Sequence, residues 1–286
     1  MERAERIIRW VEDPNEPPDR IQPTTEKVTD GPLRVGVDLG TAYLVLVVLD
    51  EGGQPIAGEY QFAQVSRDGL VVDFIGAVDL LTAMKARVEK KLGRELLHAA
   101  SGYPPGVPQA EVRATANVVE AAGMRCTNLV DEPTAANALL ELQYGAIVDV
   151  GGGTTGIAIL HDGKVAYTAD EPTGGTHFSL VIAGANNISF ENAEKMKLDP
   201  TQQNRLFPII RPVMEKVASI VNRHIHTYHS ETGIPVEQVV MVGGTAKFPG
   251  IAGVLQEFTG IPTSVPERPL FVTPMGIAMN DQLEEI

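Results

Sequence analysis

Apolar residues along this chain come in short runs that end at a carboxylate and a glycine. Leu33 to Asp38 is such a run and predicts a buried strand. Gly40-Thr41 then predicts a tight turn, and Tyr43 to Leu49 a returning strand. The pattern recurs as Ala146 to Val150, Gly151-Gly152-Gly153, and Thr155 to Leu160. Between the two, Gly76 to Leu92 has helical spacing and stops near Gly93. Leu96 to Ser101 reads as a strand, Pro108 to Gly123 as a helix stopped by glycine, and Met124 to Val130 as a strand. Pro133 to Leu142 reads as a helix with proline in its first turn. A long helix is expected from about Leu206 to Ser230, and a closing helix over Pro274 to Leu283.

Residues 1 to 31 differ from the rest. Ala4, Ile7, Ile8 and Val11 form a helical stripe, with Arg3, Glu5, Arg6 and Arg9 on other faces. Pro14, Pro17, Pro18 and Pro23 end that helix and make an extended linker. Such a helix either docks on a partner or folds back on its own body.

Composition narrows the class. Apolar residues make up 43% of 286 positions, and 28 glycines suit an α/β protein with many tight turns. No run is long enough to span a membrane and no signal-peptide core is present, so a cytoplasmic protein is expected. A net charge of −14 argues against nucleic acid as a partner. The single cysteine, Cys126, allows no internal disulfide and is expected as a core thiol. His224, His226 and His229 lie on the long helix, where a solvated face is expected rather than a metal site; His177 follows a Gly-Gly pair and is expected within reach of phosphate.

The two hairpins carry the chemistry. A glycine tip has few side chains, so its amides can point at phosphate oxygens. Gly40, Thr41 and Ala42 form one tip; Gly151, Gly152, Gly153, Thr154 and Thr155 form the other. The threonines add hydroxyl donors. Asp38 and Asp149 end the preceding strands. A carboxylate beside phosphate needs a cation between them, which implies Mg²⁺ held by these two acids through water. Taken singly, each hairpin is equally an ordinary turn with Asp as a turn residue.

Five segments in order, Gly36 to Thr41, Asp131 to Ala136, Asp149 to Thr155, Met241 to Thr245 and Pro274 to Ala278, resemble the phosphate, connecting and adenosine motifs of the actin-like ATPase superfamily. Ser66 to Phe74, Tyr103-Pro104-Pro105-Gly106, Val130 to Ala135 and Val148 to Ile159 further resemble the EutJ family, chaperone-like proteins found with ethanolamine-utilisation microcompartments. The resemblance implies an α/β, two-lobed, ribonuclease-H-like fold with a nucleotide cleft between the lobes. Residues 33–143 with 274–286 would form the first lobe and 144–273 the second. About thirty-five residues stand where DnaK-type chaperones insert a large subdomain, so that subdomain and its catalytic lysine are expected to be missing; no C-terminal substrate-binding domain is expected either.

The resemblance also assigns residues. Glu132 or Asp149 would orient or deprotonate an attacking water, with Asp38 holding hydrated Mg²⁺. Gly174, Gly175 and Thr176 would meet the nucleotide at a helix start. Glu194 and Lys197, three apart on one helix face, would bracket ribose and adenine; without the resemblance they read as an exposed ion pair. Gly243, Gly244 and Thr245 form the adenosine turn, and Lys247 would lie over the adenine ring. The small residues Ala135, Ala136, Ala138, Gly276 and Ala278 suit a helix crossing that acts as a hinge.

The function implied is a Mg-ATP-binding, slowly hydrolysing, chaperone-like or assembly factor. Its expected partners are ATP or ADP, microcompartment cargo enzymes or shell proteins, and itself by self-association. A filament-forming ATPase and a nucleotide-binding scaffold without turnover are the alternatives. A sugar or acetate-type kinase is the weakest reading, because little sequence lies between the motifs to enclose an acceptor.

Overall fold

The computed structural model describes residues 20–21, 31–67 and 70–282. The expected N-terminal helix, most of the proline linker and the last residue of the expected closing helix, Leu283, lie outside them. The chain forms two compact units. One takes the chain up to Glu141 and again from Phe271; the other is Leu142–Leu270.

The first unit contains β1 (Arg20–Ile21), β2 (Arg34–Leu39), β3 (Tyr43–Leu49), β4 (Pro55–Phe62), β5 (Ser66–Arg67), β6 (Leu70–Val71), α1 (Phe74–Leu92), β7 (His98–Tyr103), α2 (Gln109–Ala121), β8 (Arg125–Asp131) and α3 (Glu132–Leu140). The second contains β9 (Gly145–Val150), β10 (Thr155–His161), β11 (Lys164–Glu171), α4 (Gly175–Asn186), α5 (Phe190–Leu198), α6 (Gln203–Thr232), β12 (Val239–Val242), α7 (Ile251–Thr259) and β13 (Thr263–Ser264). The chain then returns to the first unit with α8 (Val272–Met279).

The two large sheets share a plan. Their orders are β1-β4-β3-β2-β7-β8 and β11-β10-β9-β12-β13. In each, a glycine hairpin pairs antiparallel on one side, and its first strand pairs parallel with a later strand on the other. The carboxyl ends of β2, β7 and β8 therefore share one edge, as do those of β9 and β12. Open α/β sheets bind ligands at such edges.

Helix limits follow local chemistry. The Asp73 carboxylate caps α1 by accepting from the Gly76 amide, and Gly93 stops it at φ 66°. Ala77, Leu81, Met84, Val88 and Leu92 form its buried stripe and pack on the first sheet. On that sheet's other face lie α3 and α8. Glycine permits that approach: a Cβ on Gly36 would stand 2.5 Å from the Pro274 carbonyl oxygen and 2.6 Å from the Ala278 nitrogen. In the second unit, Leu206, Ile210, Met214, Val217, Val221, Ile225 and Tyr228 give α6 a continuous apolar stripe against β9, β10 and β12.

Several sequence limits shift. The strand expected from Leu96 starts at His98, because Leu97 is exposed. The closing helix starts at Val272, ahead of Pro274, and ends at Met279. The long helix starts at Gln203 and carries Pro208 and Pro212 inside it, each removing one backbone donor. Residues 20–21, read as linker, pair with β4.

Asp281 follows α8 and is 1% exposed. Its carboxylate accepts from the Val35 amide at 2.8 Å, from His98 Nδ1 at 2.8 Å and from the Thr127 hydroxyl. Arg34 donates to its carbonyl at 2.8 Å. One buried acid thus ties the end of α8 to β2, β7 and β8. Asp281 and His98 lie 183 residues apart, so no local pattern in the sequence marks either.

Cys126 sits on β8, half-buried rather than within the core. Burial, then the Glu120 charge, pushes its thiol up to about 11. At pH 8 its thiolate fraction is roughly a hundredfold below that of a free cysteine, and alkylation should slow in proportion. Mass spectrometry of iodoacetamide-treated folded and urea-unfolded protein checks this; equal rates would refute it.

Candidate functional site

In the second unit, β9 delivers Asp149 to the sheet edge beside β12, where Val242 is its register partner. Gly243 follows with φ 87°, and its missing Cβ makes room for the Asp149 carboxylate. The β9–β10 tip, Gly151 to Thr154, is closed by the Gly151 amide on the Thr154 carbonyl at 3.0 Å. Its carbonyls are well occupied. Gly151 O accepts from the Gly175 amide at 2.9 Å and the Thr245 hydroxyl at 2.8 Å; Gly152 O accepts from the Thr176 amide at 2.8 Å. Among the described residues, no group accepts a hydrogen bond from the amides of Gly152, Gly153 and Thr154.

This joint explains the Gly-Gly pair. A Cβ on Gly174 would stand 2.7 Å from Gly151 O and 2.8 Å from Gly152 O, and one on Gly175 would strike the Thr245 hydroxyl. The first turn of α4 is therefore seated on the tip. Its opening amides are already engaged, including that of Gly174 with His177 Nδ1 at 3.3 Å. His177, expected near phosphate, caps its own helix instead. The Thr155 hydroxyl is likewise turned inward, donating to the Thr173 carbonyl at 2.5 Å.

Glu194 and Lys197 do share a face of α5, and they are not an exposed pair: both side chains are largely buried. Lys197 Nζ donates to the Glu194 carboxylate at 2.7 Å and to the Gly175 carbonyl at 3.1 Å; Ser179 also donates to Glu194. Burial pulls the Lys197 ammonium below its ordinary value, while Glu194 works the other way. Ser179 was missed in the sequence, although it lies four residues past Gly175 on the buried face of α4. Thr245 is buried in the short 3₁₀ turn Gly244–Lys247; Gly244 and Lys247 are exposed.

In the first unit, Asp38 stands near the carboxyl end of β2. The Gly40–Thr41–Ala42 tip is held where the Ala42 carbonyl accepts from Ala63 at 3.0 Å and the Leu39 carbonyl from the Ser66 hydroxyl at 2.8 Å. Glu132 opens α3 directly after β8, and the Asp131 carboxylate caps that helix through the Thr134 amide at 3.0 Å. Asp38 and Glu132 thus occupy the same sheet edge two strands apart. Among the described residues no cluster of three His, Cys, Asp or Glu could cage a metal. The acids present suit a cation that keeps its water shell.

His224 corrects an expectation. It does not face solvent: its Nε2 donates to Glu171 at 2.8 Å and its Nδ1 meets the Tyr167 hydroxyl at 2.7 Å. His226 and His229 are exposed. The His224 hydrogen bond, helped by Arg223 and opposed by burial, holds the Glu171 carboxyl below its usual value of 4.5. A depressed carboxylate stabilises the fold above its unfolded value, and that contribution is lost as pH falls through the lower folded one. Parent protein should therefore lose up to about 1 kcal/mol more than Glu171→Gln between pH 5 and pH 3. Thermal unfolding at both pH values measures the difference, and equal losses would refute it.

The geometry can be set beside known proteins. The Escherichia coli (strain K12) ethanolamine utilization protein EutJ is 42% identical over 255 residues, covering 89% of this chain and 88% of the relative. The chain belongs to the EutJ family. The crystal structure of EutJ from Carboxydothermus hydrogenoformans superposes with a TM-score of 0.83 at 47% identity, covering 88% of this chain and 91% of that one. A family model described as type IV pilus assembly protein PilM matches residues 109–283. The structure of MreB 5 of Spiroplasma citri bound to AMPPNP matches with a TM-score of 0.67 at 17% identity, covering 88% of this chain and 96% of that one. This EutJ-family protein thus has the α/β fold of the actin-like ATPases. Among its described residues no helix is long and apolar enough to cross a membrane.

Proposed function

We propose that this EutJ-family protein binds Mg-ATP, hydrolyses it slowly, and serves ethanolamine-utilisation microcompartments as a chaperone-like or assembly factor in the cytoplasm. The observation that carries the reading is the β9–β10 tip. Three neighbouring amides there lack a partner among the described residues, the Gly151 and Gly152 carbonyls are held by α4 and Thr245, and Asp149 stands near the end of the strand before them. Such fixed amides suit phosphate oxygens. The donor set thus fits a triphosphate, and Asp149 fits a hydrated Mg²⁺. When bound, Mg²⁺ would neutralise phosphate charge, which is most of what phosphoryl transfer requires.

The chain's own groups take the rest. Asp149 would accept from the water shell of a cation at the β9–β10 tip, Asp38 would do so at its own sheet edge, and Glu132 or Asp149 would orient the attacking water. The buried Glu194–Lys197 pair and the Gly243–Lys247 turn recognise ribose and adenine. AMPPNP is bound by the MreB relative of the same fold, which supports a nucleotide here. Among the described residues no counterpart of the chaperone lysine was identified, so slow turnover is expected. The names of the EutJ relatives support a role in ethanolamine utilisation, and the association with cargo or shell follows from the family resemblance.

Calorimetric titration with Mg-ATP tests the site. The parent is expected to bind, and Asp149→Asn and Gly244→Asp to bind at least tenfold more weakly. An absence of binding by the parent would leave a scaffold without nucleotide. Turnover of kinase speed, about 1–100 per second, would refute slow hydrolysis. ATP-dependent pelleting would favour a filament former.

A further inference from the structure

Phe62, Leu70, Val72, Phe74 and Ile75 are exposed within one short stretch of the first unit; Val72 is 56% and Ile75 74% exposed. They belong to one piece of structure. Ser66 and Val71 pair in the β5–β6 ladder, and the amides of Val72 and Asp73 both donate to the Val65 carbonyl, three residues past Phe62. Phe62 in turn opposes Tyr43 across the sheet, with ring centroids 5.7 Å apart. Apolar side chains gathered this way mark a contact surface.

The register of β1 indicates what covers it. Arg20 pairs with Glu59 and Ile21 with Gly58, antiparallel. The chain before Arg20 therefore heads along β4 toward Phe62. That chain carries the stripe Ala4, Ile7, Ile8 and Val11, with Arg3, Arg6 and Arg9 beside it. Residues 12–19 separate the stripe from β1 and reach up to about 27 Å when extended, enough to arrive at the first turn of α1. Asp73 and Asp79, both exposed on or beside α1, offer charge to the arginines.

We infer that residues 4–11 dock in cis on the face made by Phe62, Val72, Phe74 and Ile75. The docked segment lies beside Tyr43 and so next to the Gly40–Thr41–Ala42 tip. Apolar burial supplies the attraction, and the β1 pairing raises the local concentration of the segment.

Disulfide trapping in the full chain tests this. In a Cys126→Ser background, Ile8→Cys with Ile75→Cys is oxidised mildly and compared with Ile8→Cys with Leu97→Cys. Leu97 is exposed just before β7, four strands away from β1 in the sheet. The expected result is a monomer with an internal disulfide, formed at least fivefold more than in the Leu97 pair. Disulfide-linked dimers alone would assign the face to a second copy, and yields equal to the control would leave it to a foreign partner; either overturns the inference. Ile75 and Leu97 are exposed, so neither replacement disturbs the core of the first unit. As a second readout, Ile7→Asp with Ile8→Asp should speed amide exchange over residues 70–77, and unchanged exchange would overturn the inference as well.

Discussion

Gly276→Ala is expected to cost the first unit about 3 kcal/mol or more, because among the described glycines its added Cβ meets the shortest contact. A Cβ at Gly276 would fall well inside 3.0 Å of the Ala135 carbonyl oxygen. The obstacle is backbone, so no side chain can swing aside. The helices α3 and α8 would have to separate, and α8 would lose its seat on β2 and β7. There Gly36 and Gly102 make way for Pro274, Ala278 and Ile277. Urea denaturation followed by circular dichroism reads the loss. Gly184→Ala on α4 is the control, since nothing lies within 4 Å of its Cβ. It should gain up to about 1 kcal/mol from helix propensity. If the two variants behave alike, the close crossing does not limit stability.

Gly243→Ala should abolish measurable Mg-ATP binding, a loss of at least about a hundredfold, while the second unit stays folded. Two effects add. Gly243 has φ 87°, which an alanine adopts only with strain. Its Cβ would also stand 2.6 Å from the Val150 carbonyl oxygen and closer still to Asp149 Oδ1. The carboxylate must then leave its place beside the tip. Gly151→Ala is the counterpart: its Cβ meets nothing nearer than Thr154 O at 3.5 Å. It should preserve the fold and the Asp149 position. Parent-like binding by Gly243→Ala would remove Asp149 from the site.

Both hairpins were legible because alternation, a terminal acid and a glycine tip all point one way. Tyr43–Leu49 was read to the residue, and Gly93 was recognised as the stop of α1. Strand edges were less legible. Leu96 and Leu97 look like the start of a strand, yet β7 begins at His98, because apolar character does not separate a core position from an exposed one. Pro274 suggested a helix start, whereas packing of α8 on β2 extends the helix back to Val272. At the site, composition could not reveal which way a group faces. Thr155 and His177 are the right residue types for phosphate, but each satisfies a backbone group of its own fold. His98, Thr127 and Asp281 meet from three distant positions in sequence, so no local pattern announces them.

The Asp281 tie has a consequence for the order of synthesis. Val35, Arg34, His98 and Thr127 leave the ribosome long before the carboxylate that joins them. The whole second unit is made in between, and its sequence is continuous. At roughly 5–20 residues per second, the first sheet waits about 6–26 s for its last helix. During that interval the face of β2 and β7 has α3 beside it but lacks α8, while the second unit can already fold. The first sheet is therefore completed only when α8 has been made.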